Sequence, residues 1–496
     1  MSTLYLCFLI LLICSGCSSA SHVIPIDVPA ETIETAIQDA HADPLFEDTK
    51  LLSPEWWLLF QDSQLTEFIQ KAFSRNPTLQ SVQTEILAAT YHAASVESSL
   101  YPYVSLGADL SRQKLSKTGV IPFSSGPTGS GTPVIAVPAT PGGTGGIPAY
   151  FTLYETELNL RYTFDFWNKN RNTLRAALGQ VQANIAEEAF ARLQLGIALA
   201  KVYYALQIDY HRQEIAQALI HNRSTYFDLI QKRVAAQIDN ALSLQVAESN
   251  LVDARDLLLQ IQGDTAVQKY QLMAYMAGSF DEAIQSVDVT QHALPKVPLP
   301  QDLPLNLLSQ RSDIVAQLWV IESAGWQIEV AKAGFYPDFN LTAFFGFQTI
   351  HFAELFKWPS RYFNVDPAVS LPIFDGGRLA ANLHSSEINY DLAILEYNRL
   401  VLNAAKEVLD AIAILRNRWQ RLKEFELKLD YQSEIYRLTH LRTAHSLSNR
   451  LDELTSEGNK LLAQDQELLA LGNTIQAILE LIQALGGGYD NCEGSP

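Results

Sequence analysis

The sequence predicts a mixed, internally duplicated fold: four alternating β-strands of a kind that crosses a membrane, continued by α-helices of unusual length. Three observations predict it. Tyr101-Pro102 and Tyr336-Pro337, about 235 residues apart, each end a helix-like run and open an alternating strand. A second strand in each half returns with apolar residues on one face and polar residues on the other. No proline occurs between Arg161 and Ala293 or between Ile373 and Ser495, which leaves room for very long helices. A duplication of this period is a symmetry device, far longer than a solenoid repeat.

The chain has 496 residues, enough for two or three ordinary domains or one large elongated one. Its net charge of -19 and pI near 4.9 argue against a nucleic-acid partner, which needs a basic surface. Leu4 to Ile13 form an apolar run too short to span a bilayer but suited to the core of a signal peptide over residues 1–16. No Lys or Arg precedes it. Cys14-Ser15-Gly16-Cys17 then resembles a bacterial lipobox, with Cys14 where such boxes carry Leu. Cys17 is therefore expected either to carry lipid or to follow a simple secretory cleavage; both take the chain out of the cytoplasm. Past the leader Cys492 stands alone, so an intrachain disulfide is excluded.

Residues 17–50 read as an N-terminal tether, rich in Pro, Ala and acidic residues without sustained periodicity. The first repeat is expected over 51–294. Trp56 to Phe60 open the folded part, and Leu65, Phe68, Ile69 and Phe73 mark one helical face. Asn76 caps a helix with Pro77 at its first position, expected over about 76–100. Strands follow at about 103–111 and 153–167, separated by a proline- and glycine-rich loop over 112–150. Tyr154, Thr156, Leu158, Leu160, Tyr162, Phe164 and Phe166 share one face of the second strand. Glu155, Glu157, Asn159, Arg161, Thr163 and Asp165 share the other. Such length and contrast fit a tilted membrane strand, apolar toward lipid and charged toward water.

Long helices are expected over about 168–236 and 240–281, the first reaching roughly 100 Å at a rise of about 1.5 Å per residue. After a linker over 295–306, the second repeat spans 307–486. It carries a helix over 309–335, strands at about 339–348 and 362–374, and helices over 376–445 and 449–485. Residues 487–496 form a tail. Asn240 and Asn449 are expected to cap the returning helices of two hairpins. At the strand-to-helix turn, Asp375 can cap the next helix while Gly376 and Gly377 permit the sharp redirection. Asn168 takes the equivalent place in the first half. Four strands cannot close a barrel, and an open sheet would leave unpaired edges in hydrocarbon. The chain must share its barrel with copies of itself, three copies supplying twelve strands.

This order of elements resembles the outer membrane efflux proteins, the TolC-like family, and in particular its lipidated branch serving resistance-nodulation-division pumps. Asp62 to Leu79 resembles the family's opening signature. Arg311-Ser312-Asp313-Ile314 and Ala324 to Pro337 resemble its counterpart in the second half. Leu371-Pro372-Ile373-Phe374-Asp375-Gly376-Gly377-Arg378 is similar to its most recognisable motif. The hairpin tips depart from the pattern, with Gln237 and Ser446 where the family commonly has Gly. Leu451-Asp452 keeps the following Leu-Asp, whereas the first half reads Leu242-Ser243.

The resemblance implies a homotrimer whose barrel sits in the bacterial outer membrane and whose hairpins form a coiled-coil tunnel in the periplasm. The implied partners are a periplasmic membrane-fusion adaptor, an inner membrane resistance-nodulation-division transporter or an ABC exporter, and outer membrane lipids. The implied function is an exit duct for drugs or other small toxic compounds; a type I protein secretion channel shares the architecture. Pro102 and Pro337 then mark where helices hand over to strands. Asp109, Glu155, Glu157 and Asp165 line the water-filled lumen, biasing it against anions or simply solvating a wide pore. Arg233 and Asp239 in one tip, and Arg442 and Asp452 in the other, are candidates for ion pairs or charge rings that hold a closed state, or for ordinary capping.

No enzyme, cofactor or metal site is expected. The Gly-rich stretch from Pro141 to Gly146 lacks the lysine and hydroxyl residue of a phosphate-binding loop. His440 and His445 have no thiolates or paired carboxylates beside them in sequence. A surface coiled-coil scaffold or adhesin would explain the helices but not the four duplicated strands.

Overall fold

A computed structural model describes residues 46–47, 52–114, 150–278, 294–295, 297–298 and 311–489. The leader, Cys17, the tether up to residue 45 and most of the 112–150 loop lie outside the described residues. The chain forms two compact units. Among the described residues, one comprises those within 1–90, 179–322 and 389–496, and the other those within 91–178 and 323–388.

In the first unit Asp62 starts α1 (Ser63–Arg75), its carboxylate accepting from the Gln64 and Leu65 amides at 2.9 and 3.0 Å. Asn76 ends α1 and caps α2 (Pro77–Glu97), accepting from the Thr78 amide at 2.9 Å. The long elements are α3 (Lys169–Ala235), α4 (Ala241–Met276), α5 (Ser312–Ala333), α6 (Arg378–Ala444) and α7 (Arg450–Ala484). Within this unit Trp56, Leu65 and Ile69 pack with Leu199, Tyr203 and Leu206 of α3 and Ile478 and Leu481 of α7. Tyr203 Oη donates to Asp62 Oδ2 at 2.8 Å, so the cap of α1 is also fixed to the long helix. Arg311 is buried between Asp313, Glu407 and the Ala484 carbonyl, which ties the start of α5 to α6 and to the end of α7. The Arg-x-Asp signature is thus an internal clamp. Among the described residues no helix is long and apolar enough to cross a membrane.

The second unit holds one antiparallel sheet in the order β1-β2-β3-β4, with β1 Tyr103–Lys114, β2 Tyr150–Phe164, β3 Asp338–Thr349 and β4 Arg361–Ser370. Two expected strand limits are corrected: β2 ends at Phe164 rather than 167, and β4 at Ser370 rather than 374. β4 ends where Ser370 pairs with Asp338, because the next residue of the central strand, Pro337, lacks the N–H that a longer ladder would use. β2 ends one pair earlier, at Phe164–Phe339, where Asp165 turns to accept from the Asn170 and Arg171 amides. Beyond β2, Trp167 stacks on Tyr336 with ring centroids 4.7 Å apart, and its indole N–H donates to the Pro337 carbonyl at 2.8 Å. At its other end the first hairpin is longer than expected, reaching Lys114 opposite Tyr150.

Candidate functional site

The sheet presents two chemically distinct faces. Tyr154, Leu158, Leu160 and Tyr162 of β2 share a face with Leu341, Ala343, Phe345 and Phe347 of β3. Alternation places Glu155, Glu157 and Arg161 on the other face. Asp109 of β1 lies directly opposite Glu155, an acid-to-acid pair that is unfavourable unless relieved. Relief comes from two strands away: the Tyr362 hydroxyl of β4 hydrogen-bonds Glu155 and lies 2.8 Å from Glu157 Oε2. Asn159 donates its side-chain amide to Glu157 at 2.9 Å.

Tyr362 reaches these acids because Gly346 of β3 stands between them without a side chain. A Cβ at Gly346 would collide with the Thr156 carbonyl and sit 2.9 Å from the Glu157 Cα. The Tyr362–Gly346–Glu157 row gave no sequence signal beyond an isolated glycine in an aromatic strand. Asp165, expected in the polar row of β2, instead follows the strand and starts α3, accepting from the Asn170 and Arg171 amides at 3.0 Å each. Asn168 has φ +56, the left-handed conformation that Gly377 adopts at φ +89 in the second half. The cap expected of Asn168 is therefore supplied by Asp165.

In the second half Asp375 accepts from the Leu379 amide at 2.8 Å and from the Gly377 amide at 3.0 Å. These backbone donors, Leu379 first, hold its carboxyl below the usual carboxylate range. Asp375→Ala is expected to weaken the start of α6 by about 1 kcal/mol, measured as faster amide exchange at Gly377 and Leu379.

Both hairpin tips in the other unit close with the same local geometry. The Ile238 amide donates to the Arg233 carbonyl and the Gln237 amide to Val234. In the second tip the Leu447 amide donates to Arg442 and the Ser446 amide to Thr443. These are Schellman motifs, which need a left-handed residue after the helix. Gln237 at φ +58 and Ser446 at φ +57 take that conformation at a cost glycine avoids. Gln237→Gly and Ser446→Gly should each stabilise their tip by about 1 kcal/mol, read as slower amide exchange over residues 233–240 and 442–449. Asn240 and Asn449 cap the returning helices, accepting from the Ser243 amide at 3.0 Å and the Asp452 amide at 2.8 Å.

The tips differ in charge pairing. Arg233 Nε lies 2.6 Å from Asp239 Oδ2, and the guanidinium holds the Asp239 carboxyl below its usual range. Arg442 and Asp452 form no such pair: position 448, the counterpart of Asp239, is Ser448, whose hydroxyl donates to Asp452 at 2.7 Å. Nearby, Glu453 is buried between Arg450 at 2.5 Å and His440 at 2.6 Å. Burial disfavours its charge, but hydrogen bonds from Arg450 and His440 outweigh this and lower its pKa. Ile238, Leu242 and Leu447 remain exposed at the tips.

The profile of the family described as outer membrane efflux protein matches residues 68–278 and 303–487, one segment for each half. The chain belongs to the outer membrane efflux protein family. Members of this family are channels, not enzymes. The multidrug resistance outer membrane protein MdtQ of Escherichia coli O157:H7 is 29% identical over 497 residues, covering 97% of both chains. The crystal structure of the outer membrane protein VceC from Vibrio cholerae aligns with a TM-score of 0.73 at 27% identity, covering 88% of this chain and all of that one. The Campylobacter jejuni CmeC outer membrane channel shares the fold, with a TM-score of 0.77 at 21% identity over 90% of each chain. This outer membrane efflux protein thus combines a barrel-forming sheet with a helical tunnel.

Proposed function

We propose that three copies of the chain close a twelve-stranded barrel in the outer membrane and continue into the periplasm as a helical duct, through which drugs or other small toxic compounds leave the cell. The observation that carries this reading is the end-to-end likeness to MdtQ, which is named for multidrug resistance. The four-stranded sheet supports it physically, because its two free edges are tolerable in hydrocarbon only if other copies cover them. Transport needs no covalent step; the driving energy comes from an inner membrane resistance-nodulation-division transporter acting through a periplasmic membrane-fusion adaptor.

Cys17 carries the lipid that anchors the N-terminus among outer membrane lipids. Asp109, Glu155 and Glu157 line the lumen and favour cations there. Arg233, Asp239, Arg442 and Asp452 act at the periplasmic ends, where the unequal pairing of the tips leaves the second hairpin the easier to rearrange. Pro102, Pro337, Asn168, Asp165, Asp375, Gly376 and Gly377 fix the turns between strands and helices.

Deleting the gene in its native host and restoring it on a plasmid tests the function. Deletion is expected to lower the minimal inhibitory concentration of several dyes, detergents or antibiotics, with restoration by the intact gene. Unchanged susceptibility together with loss of a secreted protein would instead indicate a secretion channel driven by an ABC exporter. Labelled fatty acid incorporation, lost on Cys17→Ala, tests the anchor.

A further inference from the structure

The two halves are related by fixed offsets. Adding 209 carries the 67-residue α3, Lys169–Ala235, onto the 67-residue α6, Arg378–Ala444, and the left-handed Gln237 onto the left-handed Ser446. Adding 235 carries Tyr101-Pro102 onto Tyr336-Pro337. Applied together to the first hairpin, 235 for β1 and 209 for β2, the offsets turn the pair Tyr103–Arg161 into Asp338–Ser370. That is the observed pair in the second hairpin. The duplication therefore governs strand register as well as fold.

One further seam joins the halves, where β2 pairs with β3: Glu157 lies opposite Gly346 and Asn159 opposite Phe344. The strands left at the sheet edges are their counterparts, since β4 repeats β2 and β1 repeats β3. Where two copies meet, β4 of one and β1 of the next would take the places that β2 and β3 take in that seam. Resting on the reading that copies close a common barrel, we infer that they also repeat its register, so that Asp366 lies opposite Ser111 of the next copy and Ala368 opposite Asp109.

Three features of the sheet agree with this register and not with its neighbours. Asp366 stands in the row of Thr342 and Arg161, and Asp109 stands opposite Glu155, so the inferred pairs join the polar row of one copy to the polar row of the next. A slip of one residue would set that polar row against the apolar face. A slip of two in one direction would set Asp366 directly opposite Asp109, like charge against like charge. A slip of two in the other direction shortens the paired part of β4 from Phe363–Ser370 to Val365–Ser370. In the inferred register Asp366 instead meets a hydroxyl donor.

Cysteine pairs in the full-length protein test the register, in a Cys492→Ser background that keeps Cys17. Directly opposed residues have Cα atoms about 4.5–5.5 Å apart, within disulfide range, whereas a two-residue displacement sets them about 7–8 Å apart, beyond it. Ser111→Cys with Asp366→Cys, and Asp109→Cys with Ala368→Cys, should give covalent dimers and trimers on oxidation in membranes, lost on reduction. The crossed combinations, Asp109→Cys with Asp366→Cys and Ser111→Cys with Ala368→Cys, should stay monomeric in denaturing gels. Coupling of the crossed pairs, or of none in a preparation that native mass spectrometry shows to be trimeric, would overturn the register. A preparation monomeric by native mass would overturn the shared barrel itself. Should the substituted strands fail to assemble, a density map of the unsubstituted oligomer decides: Ser111 of one copy must face Asp366 of the next, and any other pairing contradicts the inference.

Discussion

Arg212→Ala is expected to destabilise the protein by about 3–5 kcal/mol, measured as the shift in guanidinium unfolding of the detergent-solubilised protein. Arg212 of α3 lies 2.9 Å from Asp209 on its own helix and 2.8 Å from Asp465 on α7, and all three side chains are within 12% of full burial. Gln268 of α4 adds a hydrogen bond of 2.7 Å to Asp209, so the network ties three helices. Burial opposes the charge of Arg212, but the hydrogen bonds to Asp465 and Asp209 more than offset it and raise its pKa. Removing the guanidinium leaves two carboxylates in a dry contact with no counter-charge, which costs more than the intact network contributes. Arg212→Met combined with Asp209→Asn and Asp465→Leu should therefore recover most of the loss. A cost below about 1 kcal/mol for Arg212→Ala would show that water reaches the network.

Gly346→Val is expected to cut the amount of protein assembled in the outer membrane severely, by fractionation and heat-modifiable gel mobility. The side chain would enter backbone space held by Thr156 and Glu157, so β2 and β3 must separate or Tyr362 must leave its acids. Overpacking of this kind costs about 1–3 kcal/mol in a core, and here it falls in each copy of a shared wall. Tyr362→Phe separates the two contributions. It keeps the ring over Gly346 but leaves Glu155 and Glu157 without the phenol, so it should alter ion preference more than assembly. Normal assembly of Gly346→Val would contradict the packing argument.

The sequence shows its fold where a local rule acts. Tyr-Pro at residues 101–102 and 336–337 announces the change from helix to strand because proline cannot continue a helix, and it also sets where the sheet begins. Asn240 and Asn449 are legible as caps because the donors they satisfy lie three residues away. The far ends of β2 and β4 are not legible in the same way. Phe166 and Ile373 continue the alternation, yet β4 stops beside Pro337, a residue remote in sequence, and β2 stops where Asp165 leaves the ladder to cap α3.

The same distinction explains the site. Arg233 and Asp239 are six residues apart and meet. Arg442 and Asp452 fail to pair because Ser448 replaces the acid at the equivalent turn position, a difference visible only once the two tips are aligned. Tyr362 with Glu155, and Arg212 with Asp465, join residues more than 200 apart, and no periodicity or spacing announces such contacts.

Copies of this chain should enclose a water-filled path across the outer membrane, which conductance across a planar bilayer reads out. Purified trimer should insert as uniform channels, and under a potassium chloride gradient the reversal potential should indicate preference for potassium, as a lumen carrying Asp109, Glu155 and Glu157 from each copy requires. A folded trimer that inserts without conducting, under any applied voltage and also with the Arg233–Asp239 pair removed by Arg233→Ala and Asp239→Ala, would contradict it.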